Sequence, residues 1–247
     1  MTPETGRADL VERDAEQLKE LVANTRHVLF DFDGPICRLF ASYPASAIAV
    51  AQVEWLRARG LVSLLTPEEL NSPDPNGVLR SVAARYPGTD LVLDLEEHLT
   101  LRELEAARSA WPTPYADPLI RTWLATGAQL AIVTNNSART VEEYLKGRDL
   151  LSCFAPHIYG RTQELHLLKP HPHALRWALR AMGAAGGSAL MIGDSHTDHH
   201  AARSAGVPFL GFASSERAAA GMRDAGVPER RILSSLEPLL KAVRSRT

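Results

Sequence analysis

The alternation of apolar and polar positions divides the chain into a leading helix, a strand, a helical stretch and a long alternating region. Residues 9–23 set Val11, Ala15, Leu18 and Val22 at helical spacing among Asp, Glu and Lys, which predicts an amphipathic helix packed against the sheet. The run His27-Val28-Leu29-Phe30 then predicts a buried strand, ended abruptly by Asp31, Asp33 and Gly34. Because side chains alternate along a strand, Asp31 and Asp33 are expected on one side and Phe32 on the other. Beyond this point the strand pattern stops. Ile48, Ala51, Trp55 and Leu56 trace one helical face, and Thr66-Pro67 through Pro73-Asp74-Pro75-Asn76-Gly77 reads as turns. Residues 90–109 read as a longer helix carrying Leu95, Leu99 and Leu104, and Trp111-Pro112-Thr113-Pro114 as a stiff hinge in which Trp111 packs.

An α/β rhythm resumes after the hinge. A helix over 118–126 is closed by Gly127, and Gln129 to Val133 form a strand ending in Thr134-Asn135-Asn136-Ser137. A helix over 138–146, a short strand at His157-Ile158-Tyr159 and a loop holding Lys169-Pro170 come next. Pro172 opens a helix with Leu175, Ala178, Leu179 and Met182 at helical spacing, and Ala189 to Ile192 form a strand ending in Gly193-Asp194. A further helix stops at Gly206, Val207 to Phe212 make a fifth strand, and 236–244 a closing helix. Strands alternating with helices predict an α/β fold with a doubly wound parallel sheet. The expected division is a core domain over 1–39 and 114–247, interrupted by a helical cap domain over 40–113. Ligands of such sheets bind at the carboxyl ends of strands, where Asp31, Thr134 and Asp194 are all predicted to lie.

Composition narrows the class. A chain of 247 residues with 45% hydrophobic content can bury a full core. A net charge of -2 gives no broad electrostatic case for nucleic acid or a membrane surface. The N-terminus is polar and acidic, and no apolar run approaches the ~20 residues of a membrane span. Two cysteines, Cys37 and Cys153, make no disulfide framework and fit a reducing compartment, so a cytoplasmic location is expected.

The residues at the strand ends then suggest a chemistry. Asp31 and Asp194 offer hard oxygen ligands suited to Mg²⁺. Thr134, the backbone around Asn135 and Lys169 offer donors and a positive charge for a phosphoryl group. A carboxylate can attack phosphorus and form an aspartyl-phosphate, and an acid two residues on can protonate the leaving oxygen and later activate water. The bland readings are an acidic turn after a strand, Thr134 as a helix N-cap and Asp198 as an ordinary acid near a helix start. His196 and His200 share a helical face, but beside oxygen ligands they read as polar helix residues rather than a transition-metal site. His171 and His173 read as loop residues, Cys37 as a buried inert thiol, and Trp55 as packing within the cap.

Asp31-Phe32-Asp33-Gly34, Thr134-Asn135, Lys169-Pro170 and Gly193-Asp194-Ser195-His196-Thr197-Asp198 resemble, in order, the four motifs of the haloacid dehalogenase superfamily. The helical insertion after the first strand resembles the cap of its phosphoglycolate-phosphatase-like branch. The resemblance implies a Mg²⁺-dependent phosphatase acting on a small phosphorylated metabolite, as a monomer or homodimer. It implies Asp31 as nucleophile and metal ligand, and Asp33 as acid/base, binding metal through its backbone carbonyl. It further implies Thr134 and Asn135 on the phosphoryl oxygens, Lys169 neutralising Asp31 and phosphate, Asp194 as a direct metal ligand, and Asp198 acting behind it or through water. A phosphomutase shares every motif, and a catalytically silent protein could keep the fold, although no catalytic position is lost here. Two departures stand out: Pro35 replaces the usual Thr, and Cys37-Arg38-Leu39 replaces an acidic residue, which leaves Arg38 to meet an anionic substrate.

Overall fold

The sheet is assembled around its first strand. The protein, described here from a computed structural model over residues 15–246, begins with α1 (15–24), which leads into β1 (His27–Phe30). The predicted helix over 9–23 is thus seen from Ala15 onward, with Leu18 and Val22 buried, while Val11 lies outside the described residues. β2 (Cys37–Arg38) is next, then the helices α2 (Ala45–Arg57), α3 (Pro67–Leu70), α4 (Pro75–Arg85) and α5 (Asp90–Arg108), and β3 (Trp111–Pro112). The remainder runs α6 (Ala116–Ala125), β4 (Gln129–Ser137), α7 (Ala138–Gly147), α8 (Leu151–Phe154), β5 (Ile158–Arg161) and α9 (His173–Ala181). It continues through β6 (Ala189–Gly193), α10 (His196–Ala205), β7 (Phe209–Phe212), α11 (Glu216–Asp224), β8 (Ile232–Leu233) and α12 (Glu237–Arg244).

The main sheet has six strands in the order β5-β4-β1-β6-β7-β8, and every pair in it is parallel. β1 pairs on one side with β4, His27 opposite Gln129, and on the other with β6, His27 opposite Ala189. The chain winds outward from β1 in both directions, which makes the carboxyl ends of β4, β1 and β6 the switch point of the sheet. Period-two alternation serves both faces. Val28 and Phe30 join one buried cluster with Trp123 and Phe154, and Leu29 joins the other with Ala131, Val133 and Met191.

The insertion differs from the sequence expectation in three ways. The stretch read as turns contains helices, because Thr66 forms a capping box with Glu69, and Asp74 caps a helix that has Pro75 at its first position. The same Asp-Pro pair signals a turn or a helix start, and only packing decides between them. The hinge pairs as an antiparallel ribbon, Cys37 opposite Pro112 and Arg38 opposite Trp111. Trp111 is 58% exposed, with the Arg38 guanidinium over its ring, so it does not pack as expected. A third buried cluster joins Ile48, Leu56, Val78, Leu79, Leu95 and Leu99. That cluster also takes in Leu165 and Leu168, from the loop that precedes Lys169, while Ala106 and Ala107 of α5 belong to the main core.

Two elements beyond β7 escape the sequence reading. α11 presents only Ala219 and Met222 to the core, too few to trace a helical stripe, and β8 is two residues long. Among the described residues, no helix is long and apolar enough to cross a membrane.

Candidate active site

Three neighbouring strands deliver acids and donors to one end of the sheet. Asp31 continues the ladder beyond β1, its N–H donating to the Ile192 carbonyl at 2.8 Å. Asp33 Oδ1 accepts from the Leu39 N–H at 2.8 Å. Between them Phe32 is buried and packs its ring edge against Tyr144, as the alternation predicts. Gly34 has φ +99°, and a Cβ there would lie 2.5 Å from Asp194 Oδ2. Only glycine allows the first acidic loop and the Asp194 loop to approach this closely.

Lys169 is the centre of charge. Its Nζ donates to Asp31 Oδ1 at 2.8 Å, to the Val133 carbonyl at 2.9 Å and to Asp198 Oδ1. An ammonium has three protons, so all three are engaged. Burial alone would lower its pKa, but Asp198 and Asp31 outweigh burial and hold it charged. Asp198, completely buried, also accepts from the Ser195 N–H and forms a capping box with Ser195 at the start of α10. Asp198 therefore caps α10, as its helix-start reading expects, while its carboxylate also meets Lys169.

Electrostatics define what the acids can hold. Burial is the main cause that raises Asp31 to about 6, with Asp198 adding to it and Lys169 opposing. Burial likewise pushes Asp33 up to about 7, against the Leu39 hydrogen bond. Asp194 is raised well above the ordinary carboxylate range by burial, then by Asp31 and Asp198. Oxygen atoms of Asp31, Asp194 and Asp198 lie within 4.8 Å of one another. None of the hydrogen bonds among the described residues ends on the Asp194 carboxylate, although Lys169 serves the other two. Converging hard oxygens with excess negative charge fit a divalent cation such as Mg²⁺. The Asp33 carboxylate is not in this group.

β4 breaks register with β5 between Val133 and Ser137, and this bulged turn at its carboxyl end is held more tightly than its sequence suggests. Thr134 Oγ1 donates to Asn136 Oδ1 at 3.1 Å and accepts from the Asn136 N–H at 3.2 Å. The Asn135 side chain clamps the main chain of Lys169, accepting from its N–H at 2.9 Å and donating to its carbonyl at 3.0 Å. The Asn135 side chain is thereby engaged within the protein. Behind the turn, Arg161 of β5 and Glu103 of α5 form a fully buried pair, Nη1 to Oε1 at 2.8 Å and Nη2 to Oε2 at 3.1 Å. Arg161 also donates to the Asn135 carbonyl at 3.1 Å and to Glu96 at 3.0 Å.

Glu103, Arg161 and Asn136 do not stand out in the sequence as site residues. One signal is available: Glu103 continues the i, i+4 row of Leu95 and Leu99, an acid at a core-facing position. Leu104, expected on that face, is only half-buried. The remaining expectations are peripheral. The His196 and His200 rings are 6.0 Å apart, centre to centre, and His173 begins α9. Cys37 is fully buried with its thiol pushed well up by burial, and Arg38 lies over Trp111 on the exposed ribbon.

Comparison with known proteins fits this arrangement. Residues 100–212 match the haloacid dehalogenase-like hydrolase family. A phosphoglycolate phosphatase of Escherichia coli O157:H7 is 27% identical over 209 residues, covering 76% of this chain and 81% of that protein. A phosphoglycolate phosphatase of Aliivibrio fischeri is 40% identical over 80 residues, 32% of this chain and 34% of its own. Among solved structures, a haloacid dehalogenase family hydrolase of Deinococcus radiodurans with bound phosphate and sodium superposes with a TM-score of 0.59. It is 24% identical and covers 91% of this chain and 97% of its own.

Proposed function

We propose that the chain is a haloacid dehalogenase-like hydrolase of the phosphoglycolate-phosphatase-like kind, which hydrolyses a small phosphorylated metabolite through an aspartyl-phosphate on Asp31. The observation that carries this reading is the Asp31 carboxylate at the end of the central strand, bonded to Lys169 and grouped with Asp194 and Asp198. Asp31 attacks phosphorus, forming an O–P bond as the ester P–O bond breaks, and Asp33 gives its proton to the departing alkoxide. Asp33 then takes a proton from water, which attacks the same phosphorus, breaks the Asp31 O–P bond and releases orthophosphate. The Thr134 turn binds the phosphoryl oxygens, through the Thr134 hydroxyl and the backbone of Asn135. Lys169, with its three protons engaged, acts on Asp31 and the phosphoryl group through its charge.

Mg²⁺ would be held by the carboxylates of Asp31 and Asp194 and the Asp33 carbonyl, with Asp198 acting through water, and would supply positive charge to the phosphoryl oxygens. The insertion over 40–113 serves as a cap domain over the core of 1–39 and 114–247, and it excludes water during transfer. The test is phosphate release from a panel of phosphorylated metabolites and p-nitrophenyl phosphate, with and without Mg²⁺. Wild-type protein is expected to turn over only with Mg²⁺, and Asp31→Asn to lose turnover. Full activity in Asp31→Asn, with mass spectrometry excluding deamidation, would overturn the assignment.

A further inference from the structure

Glu103 belongs to the inserted helices, yet each of its oxygens serves the β4 turn. Oε1 accepts from Asn136 Nδ2 at 3.1 Å and from Arg161 Nη1 at 2.8 Å. Oε2 accepts from the Ser137 N–H at 2.9 Å and from Arg161 Nη2 at 3.1 Å. Asn136 in turn accepts the Thr134 hydroxyl proton, and Arg161 holds the Asn135 carbonyl. Two short relays therefore run from one carboxylate on α5 to both residues of the turn. The packing around them leaves little slack. Glu103, Arg161 and Thr100 are buried, and a Cβ on Gly160 would lie 2.7 Å from the Asn136 carbonyl, so β5 presses directly on the turn.

We propose that Glu103 is a positioning residue for phosphate binding: through Asn136 and Arg161 it fixes the Thr134–Asn135 turn in the shape that receives a phosphoryl group. This rests on the reading of that turn as the phosphoryl site. A carboxylate is required for a reason visible in its partners. All four are donors, two on each oxygen, and the amide of a glutamine would turn its own NH₂ toward one of these pairs. The fork geometry of Arg161 matches a carboxylate in the same way, and with both groups dry the charges depend on each other. An acid supplied by the insertion thus completes an anion site built by the core, without touching the anion.

The experiment measures orthophosphate affinity as a competitive inhibition constant against p-nitrophenyl phosphate, in wild type, Glu103→Gln, Asn136→Ala and the double variant. Asn136→Ala leaves the Arg161–Glu103 pair whole and cuts only the relay to Thr134. Each single change is expected to weaken orthophosphate binding about tenfold, the value of one well-made hydrogen bond. Because the Asn136 relay starts at Glu103, the double variant should be weakened no further than Glu103→Gln alone. KM for the aryl phosphate should rise with kcat nearly unchanged, since the turn contacts phosphoryl oxygens before and during transfer. Hundredfold weakening in the double variant, or an unchanged inhibition constant with a lowered Tm, would make Glu103 merely structural and overturn the proposal. If Glu103→Gln does not fold, Glu103→Gln/Arg161→Met replaces the pair, and wild-type phosphate affinity in that variant would overturn it equally. Wild-type protein that neither binds orthophosphate nor hydrolyses the aryl ester would remove the phosphoryl reading itself, before any variant is compared.

Discussion

At the scale of residues, Asp31 and Asp33 are two positions apart and differ in what they touch. Asp31 meets the ammonium of Lys169, whereas Asp33 accepts from the Leu39 N–H. In the proposed mechanism this difference separates nucleophile from proton carrier, and it can be tested. Asparagine at 33 keeps the shape but cannot move a proton. With an alkyl phosphate Asp33→Asn should fail at the first step. With an aryl phosphate whose phenol needs little protonation, Asp31 should still attack and the second step should stall. Rapid mixing should then show a burst of about one equivalent of phenol per site, followed by turnover slowed roughly 10²–10⁴-fold. Mass spectrometry of acid-quenched protein should place the phosphoryl group on Asp31. A uniformly slow reaction with neither burst nor adduct, and ¹⁸O from water appearing only in phosphate after a single turnover, would exclude the covalent route.

At the scale of elements, the insertion is anchored unevenly. α5 is tied to the core by the buried Arg161–Glu103 pair and by Ala106 and Ala107, whereas α2, α3 and α4 meet the core mainly through Leu165 and Leu168. Asp31 and Lys169 are nearly inaccessible, and on the cap reading a substrate enters when the insertion moves. Hydrogen exchange with aluminium fluoride and Mg²⁺ should therefore slow in α2 and α4 and at the β2–β3 ribbon, while α5 near Glu103 stays protected throughout. Equal change along all four helices would indicate motion as one rigid body. The same unevenness explains what the sequence reveals. Asp31, Thr134 and Asp194 stand out because each breaks an apolar run at a strand end, where a change of residue type has no packing rationale. Lys169 is legible only beside them. The Glu103–Arg161 pair is invisible, since its members lie 58 positions apart and each resembles a solvated charge until burial is known. α4 is hidden by Asp74-Pro75, and α11 by a scarcity of large apolar residues.

At the scale of the molecule, the crowded carboxylates tie stability to pH. In the metal-free protein Asp31, Asp33 and Asp194 all bind protons more tightly when folded than an ordinary aspartate, which titrates near 3.8. A raised carboxyl contributes its stability below the unfolded value and loses it as pH climbs through the folded value, here between about 4 and about 7. In EDTA, Tm should fall from pH 5 to pH 8 by on the order of 5 °C. Mg²⁺ should restore it at pH 8 and do little at pH 5, as calorimetry would show. A Tm independent of pH would mean that the acids are relieved by some other route. The sheet carries one more consequence, concerning time. β1 needs β4 on one edge and β6 on the other, and His27 meets its second partner only at Ala189. At roughly 5–20 residues per second, a ribosome takes roughly 8–30 s to cover that distance. β1 thus waits on both edges, first for β4 and then for β6. Until β6 emerges, the growing chain carries one open, strongly apolar edge beside its acids, a site where nascent copies can pair wrongly with each other.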